Sequence, residues 1–366
     1  MNRIAPHRSS ILSLILTTAV LVSSGQSAEP ARLAETPYGP APGNHEIDTV
    51  LFDWRDAKRD RTVPVKLYVP KSPAKPAPVV VFSHGLGGSR LAYEYLGSHW
   101  ASHGYAVIHL QHAGSDVEVW RGAANPLQSL RDAIKKPGVA YDRLRDVSFA
   151  LDQLERLARD DSQYKGRFDL DRVGMSGHSF GAVTTQGIAG LSRTALAREF
   201  RYDEPRVKAG FAMSPSPPSG IADNPRKLEE AFGGIRIPML YMTGTRDDGA
   251  RITDVTPQQR LLPYEYTKAV DCFQLVFTDG DHGVFAGVSR PGTLLRRGEG
   301  PDPKAVRAVV RTVSTAFWNA YLRGDEKAKQ WLASDECARW IGEMGDWKWR
   351  KAAGRAANAD SEQQAK

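Results

Sequence analysis

The sequence predicts an α/β fold: a mostly parallel sheet of the eight-stranded type, with helices on both faces. Three observations carry this expectation. Strand-like and helix-like segments alternate from about residue 48 to residue 322, as βαβ units require. Val79-Val80-Val81-Phe82 is a continuous apolar run, the pattern of a strand covered on both faces. Gly177-His178-Ser179-Phe180-Gly181 fits G-x-S-x-G, a sharp turn from a strand into a helix.

Each element follows from its local pattern. Residues 49–54 and 63–69 hold β-branched and aromatic side chains and read as an opening antiparallel pair. The apolar run at 79–83 comes next, then a helix-like stretch at 91–103 and a strand at 105–110. Residues 111–138 show no clean period, and Trp120, Pro126 and Pro137 point to an irregular rim or partial lid. Leu144, Val147, Leu151, Leu154 and Leu157 recur at helical spacing, which predicts a helix over 141–158. A short strand at 171–176 enters the Ser179 turn, and a helix opens at 182–189. Further strands are expected at 207–213, 237–242 and 272–277, with helices at 304–322 and 326–332. From about Gly345 the chain is polar and charged and reads as a mobile tail.

The expected organisation is an export signal at 1–28, a linker at 29–45, one catalytic domain at 46–335 and a partly disordered extension at 336–366. Arg3 and Arg8 precede an apolar stretch at 11–22 that is short for a bilayer, and small residues follow at 23–28. No later segment is apolar enough to span a membrane, so a periplasmic or extracellular location is expected. The net charge of +7 is a mild basic excess that aids solubility. Zinc-finger spacing, a phosphate loop and aromatic–basic interleaving are all missing from the sequence, so nucleic acid is not an expected partner. The two cysteines, Cys272 and Cys337, either pair in an oxidising compartment or remain buried thiols. Neither has metal-site spacing, and no metal or organic cofactor is expected.

The chemistry begins at Ser179. A serine hydroxyl is a poor nucleophile until a base removes its proton, and histidine is the usual base. Of nine histidines, His282 is placed best, in Thr278-Asp279-Gly280-Asp281-His282-Gly283 after the last core strand. His84 and His112 also follow strands but precede the serine. A carboxylate must fix the imidazole tautomer. Asp247, in Gly244-Thr245-Arg246-Asp247-Asp248, is preferred over Asp248, and Asp281 adjoins the histidine in a poor position to orient it. The oxyanion of acyl transfer needs N–H donors. Phe180 supplies one, and Leu86, in the turn Ser83-His84-Gly85-Leu86-Gly87-Gly88, supplies the other. Trp120 and Met213, with Phe180 and the proline-rich loop at 215–218, are expected to line an apolar acyl pocket.

Val81-Phe82-Ser83-His84-Gly85-Leu86-Gly87-Gly88 together with the Ser179 turn resembles the platelet-activating-factor acetylhydrolase family. It is also similar to bacterial esterases called dienelactone-hydrolase-like. The likeness runs on through Ala101-Ser102-His103-Gly104-Tyr105-Ala106-Val107 and covers about residues 48–322, most strongly in the first half. The resemblance implies an α/β-hydrolase fold, with Ser179 as nucleophile, His282 as base, and Leu86 and Phe180 as oxyanion donors. The order Ser…Asp…His is also that of α/β-hydrolases. Two departures stand out. The animal acetylhydrolases carry their acid after the sixth strand, where this chain has Ala212-Met213-Ser214-Pro215-Ser216 and no carboxylate. The acid is therefore expected after the seventh strand, at Asp247. Dienelactone hydrolases use cysteine as the nucleophile, and serine stands here. The expected function is an exported serine esterase acting on small-molecule or polymeric esters with short acyl groups. A peptidase or thioesterase with the same triad, and a ligand-binding scaffold, are the alternatives.

Overall fold

The computed structural model describes residues 36, 38–71, 73–195, 198–286 and 300–352. The expected export signal at 1–28 lies outside the described residues, as do residues 353–366. The chain opens with β1 (Ile47–Asp56), β2 (Arg61–Pro70) and β3 (Ala77–Ser83), then α1 (Glu94–Ser102) and β4 (Ala106–Leu110). Helices α2 (Pro126–Lys135) and α3 (Val139–Asp160) lead to β5 (Phe168–His178) and α4 (Phe180–Ile188). A small hairpin, β6 (Arg193–Ala195) and β7 (Arg198–Phe200), precedes β8 (Val207–Met213) and α5 (Pro225–Phe232). Next come β9 (Met239–Arg246), α6 (Leu262–Tyr266) and β10 (Cys272–Asp281). Helices α7 (Pro303–Leu322), α8 (Glu326–Leu332) and α9 (Asp335–Ile341) and the strand β11 (Gly345–Arg350) close the described chain.

The main sheet has nine strands in the order β1-β2-β4-β3-β5-β8-β9-β10-β11. The stretch from β4 to β10 is parallel throughout, and the pairs β1/β2, β2/β4 and β10/β11 are antiparallel. Strand β3 is buried at every position, as its apolar run requires. Its side chains divide by the two-residue period of a strand. Val80 and Phe82 join a core with Trp100, Phe211 and Trp318, while Val79 and Val81 join one with Val147, Leu151 and Leu154. Full burial of each such side chain is worth about 1.5–3 kcal/mol, so this central strand anchors both layers.

Two expectations need correction, and one open alternative is resolved. The tail from Gly345 is an ordered edge strand, and it raises the sheet from eight strands to nine. Trp347 carries it: the indole stacks on Phe273 at 5.8 Å, and its N–H donates to the Leu332 carbonyl at 3.1 Å. The stretch 111–138 is more regular than expected. It holds a 3-10 turn at Val117–Val119 and the helix α2. Pro126 is a first-turn proline of that helix, and Asn125 caps it by accepting the Gln128 N–H at 3.1 Å. Cys272 and Cys337 are free buried thiols. They belong to different apolar clusters.

Candidate active site

Strand β5 runs into α4 with Ser179 at the corner, at φ 55° and ψ −113°. A non-glycine residue in such a conformation costs on the order of 1–3 kcal/mol and must be held there by its surroundings. The Ser179 N–H donates to the Met213 carbonyl at 2.9 Å. The flanking glycines allow the corner to pack. A Cβ on Gly177 would sit 2.4 Å from the Gly181 carbonyl carbon, and one on Gly181 would sit 1.9 Å from the Ser83 carbonyl oxygen. The spacing G-x-S-x-G is therefore dictated by the close approach of the start of α4 to the ends of β5 and β3.

At this corner the carboxyl ends of β5, β9 and β10 bring three distant residues together. Ser179 Oγ lies 2.9 Å from His282 Nε2, and His282 Nδ1 lies 2.7 Å from Asp247 Oδ1. With Nδ1–H donating to the carboxylate, Nε2 is left to accept the serine hydroxyl. Asp247 is fully buried. Thr243 donates to its Oδ2 at 2.8 Å, and Arg260 Nε lies 2.7 Å from Oδ1. Burial alone would raise the Asp247 carboxyl. The charges of Arg260 and His282 outweigh it and hold the group below the usual carboxylate range. The neighbouring acids do other work: Asp248 accepts the Ala250 N–H at 2.8 Å and Asp281 the Gly283 N–H at 3.0 Å.

No motif in the sequence marks Arg260. It is buried, and it ties the loop after β9 to the loop after β8. It donates to the Asp247 and Asp248 carbonyls at 2.8 Å each and to the Ser214 carbonyl at 2.7 Å. His178, the residue before the serine, donates through Nε2 to the His282 carbonyl at 3.1 Å. Burial pushes its ring well below the usual histidine value, so it stays neutral.

A small cleft of about 70 Å³ opens beside Ser179 and His282. Leu86, Ile134, Phe180, Val183, Ile252 and Val255 form its apolar walls. Phe180 begins α4, and helix starts leave N–H groups without helical partners. Among the described residues neither the Phe180 nor the Leu86 N–H is engaged in a hydrogen bond. Two expected wall residues are elsewhere. The Met213 side chain is in the core with Phe211 and Leu240, because β8 turns it to the other layer. Trp120 is partly exposed and holds the loop instead, donating from Nε1 to the Gly87 carbonyl at 2.8 Å. A larger cavity of about 440 Å³ lies at the amino end of β10, between Tyr321, Trp349 and Lys329, away from Ser179 and His282.

A second Ser–His–Asp chain lies outside the cleft lining. Ser83 Oγ lies 3.0 Å from His112 Nε2, and His112 Nδ1 lies 2.9 Å from Asp146 Oδ2. All three residues are fully buried. Arg59 and Arg61 pair with Asp146 at 2.7 and 2.9 Å, and Arg143 donates to Ser83 Oγ at 2.9 Å. The signal for this cluster lies in α3. Arg143 and Asp146 break into the apolar stripe Val147, Ala150, Leu151, Leu154 on the buried face. A charge at a core-facing position of a helix demands a buried partner.

Residues 50–119 match the sequence model of the family described as platelet-activating factor acetylhydrolase, isoform II. That region includes the Leu86 loop and stops short of Ser179. The chain is 23% identical over 295 residues to the platelet-activating factor acetylhydrolase of Cavia porcellus, which covers 74% of this chain and 63% of the relative. It is 28% identical over 151 residues to that of Canis lupus familiaris, covering 34% of each chain. The Bos taurus protein of the same name is 30% identical over 135 residues, or 29% of this chain and 30% of the relative. The matches thus span less than two thirds of these relatives' lengths. The chain has an α/β-hydrolase fold and resembles the platelet-activating factor acetylhydrolases in sequence.

Proposed function

We propose that this chain is a serine carboxylic-ester hydrolase working through an acyl-enzyme. The observation that carries the reading is the unbroken relay Ser179–His282–Asp247 beside a cleft, with the serine on a strained corner. In this mechanism His282 Nε2 takes the Ser179 proton as Oγ attacks the ester carbonyl. The oxyanion settles against the N–H groups of Leu86 and Phe180. His282 then protonates the leaving alcohol, and water activated by the same ring releases the acid. Every step uses side chains, backbone N–H groups and water.

The size of the cleft supports short acyl groups. Sites for drug-sized ligands run to about 300–1,000 Å³, and this one offers about 70 Å³. The names of the relatives support an acetyl-like group. The relatives' full activity is not carried over, because the matches cover only part of their length. Export remains part of the proposal on the sequence of residues 1–28 alone.

A series of chromogenic esters from acetyl to decanoyl tests the reading. The expected kcat/KM is highest at the shortest acyl groups and falls by about tenfold or more toward decanoyl, because a small apolar pocket rejects added methylenes. A profile that rises with acyl length would overturn the short-acyl assignment.

A further inference from the structure

We propose that Arg143 is a positioning residue that holds the two arms of the oxyanion site in register. One arm is the loop carrying Leu86, and the other is the first turn of α4 carrying Phe180. The proposal rests on the reading of Ser179 as an acyl-transfer nucleophile.

Arg143 is fully buried in α3, and each of its three nitrogens reaches a different segment. Nη2 donates to Ser83 Oγ at 2.9 Å and to the His84 carbonyl, just before Leu86. Nη1 donates to Ser115 Oγ at 2.9 Å. The Ser115 carbonyl in turn accepts the Gly87 N–H at 2.9 Å, just after Leu86. Leu86 is thus anchored on both sides through one guanidinium. Nε donates to Thr184 Oγ1 at 3.1 Å, and Thr184 donates to the Phe180 carbonyl at 3.0 Å. The guanidinium carbon also stands 4.5 Å from the centroid of the Phe180 ring. Both oxyanion arms are therefore tied to one planar group.

The choice of arginine follows from geometry. A guanidinium presents five N–H donors in a fixed plane, whereas an ammonium is a point with three rotating donors on a flexible stem. Burial lowers Arg143 only to about 9, so it keeps its charge at neutral pH. The paired N–H groups of an oxyanion site must sit at about 2.7–3.1 Å from an oxygen that exists only in transit. They come from segments far apart in sequence, so something must set the distance between them.

The test is Arg143→Lys, with kcat and KM measured on an acetyl ester and on its thionoester analogue. Sulfur accepts hydrogen bonds poorly, so the thionoester draws less on the oxyanion donors. A donor misplaced by about 1 Å costs about 10²-fold, so kcat on the ester should fall by about 10- to 100-fold while KM changes little. The thionoester should lose much less, which lowers the ester-to-thionoester ratio. An equal loss on both substrates, or a loss confined to KM, would mean that Arg143 merely supports folding. Should Arg143→Lys fail to give a cooperative melt, Thr184→Val and Ser115→Ala decide the matter. Each cuts one tether and should lower the same ratio by about two- to tenfold, a fraction of the loss from removing a donor outright. An unchanged ratio in both overturns the proposal. Retention of ester hydrolysis by Ser179→Ala would instead strike the reading beneath it, and the proposal would fall with that reading.

Discussion

Ser179–His282–Asp247 and Ser83–His112–Asp146 are built from the same three residue types at nearly the same spacings. The first chain has gaps of 2.9 and 2.7 Å, the second 3.0 and 2.9 Å. Their surroundings separate them. Ser179 stands on a left-handed corner and lines a cleft. Ser83 ends a regular strand, is fully buried, and already accepts an N–H from Arg143. Burial and the Arg143 charge push His112 down to about 4, so its ring is a weak base. Asp146 is spent on two arginines as well as the histidine. Residue types in a row do not make a nucleophile. Access and backbone strain do.

The sharpest way to break this comparison is to remove each serine. Ser179→Ala should lower kcat by about 10⁴ or more. Ser83→Ala should lose far less activity but cost about 1–3 kcal/mol of stability, because it strands buried partners. Equal activity losses would erase the distinction. The acids extend the contrast. Asp247→Asn should lower kcat by about 10⁴ through the wrong imidazole tautomer, while Asp146→Asn should cost about 3–5 kcal/mol by removing the buried carboxylate that Arg59, Arg61 and His112 share. Urea midpoints and kcat measured on both variants read out the split.

Acid should also damage the buried relay first. His84, His112 and His178 are all held neutral by burial. In the unfolded chain they take protons near pH 6.5, so it binds more protons than the fold below that pH. Their contribution is complete above about pH 6.5 and is lost as pH falls. For His112 the loss runs down to about pH 4 and amounts to about 3 kcal/mol. Asp146, held below its ordinary value by His112 and Arg61 against the effect of burial, adds a further loss below about pH 4. Urea midpoints should therefore fall steadily from neutral pH toward pH 4, and a flat series would contradict the assignment. The smallest effect belongs to Asp248, whose side chain serves a turn. Asp248→Asn should change kcat/KM by less than about threefold, as expected for a group outside the relay.

Much of the fold was legible in the sequence because burial writes itself into periodicity. The apolar run of β3 and the stripe of α3 could be read from side chains alone. Helix α2 was hidden because Pro126 reads as a breaker until its place at the helix start is known. Strand β11 was hidden because only Trp347 is buried, and its other residues, Trp349 included, stay exposed or half-buried. At the site, Ser179, His282 and Asp247 were each marked by a local turn after a strand. The cleft walls Ile134, Ile252 and Val255 were not, since they come from α2 and the loop after β9, which meet only in three dimensions. Arg260 and Arg143 were missed for the same reason: their roles lie in what they bridge.

The most direct test of the comparison is covalent. Reaction of the wild-type chain with a fluorophosphonate, followed by peptide mass analysis, should give one adduct, on Ser179, and none on Ser83. An adduct on Ser83, or failure of Ser179 to react while the protein stays folded, would contradict the account.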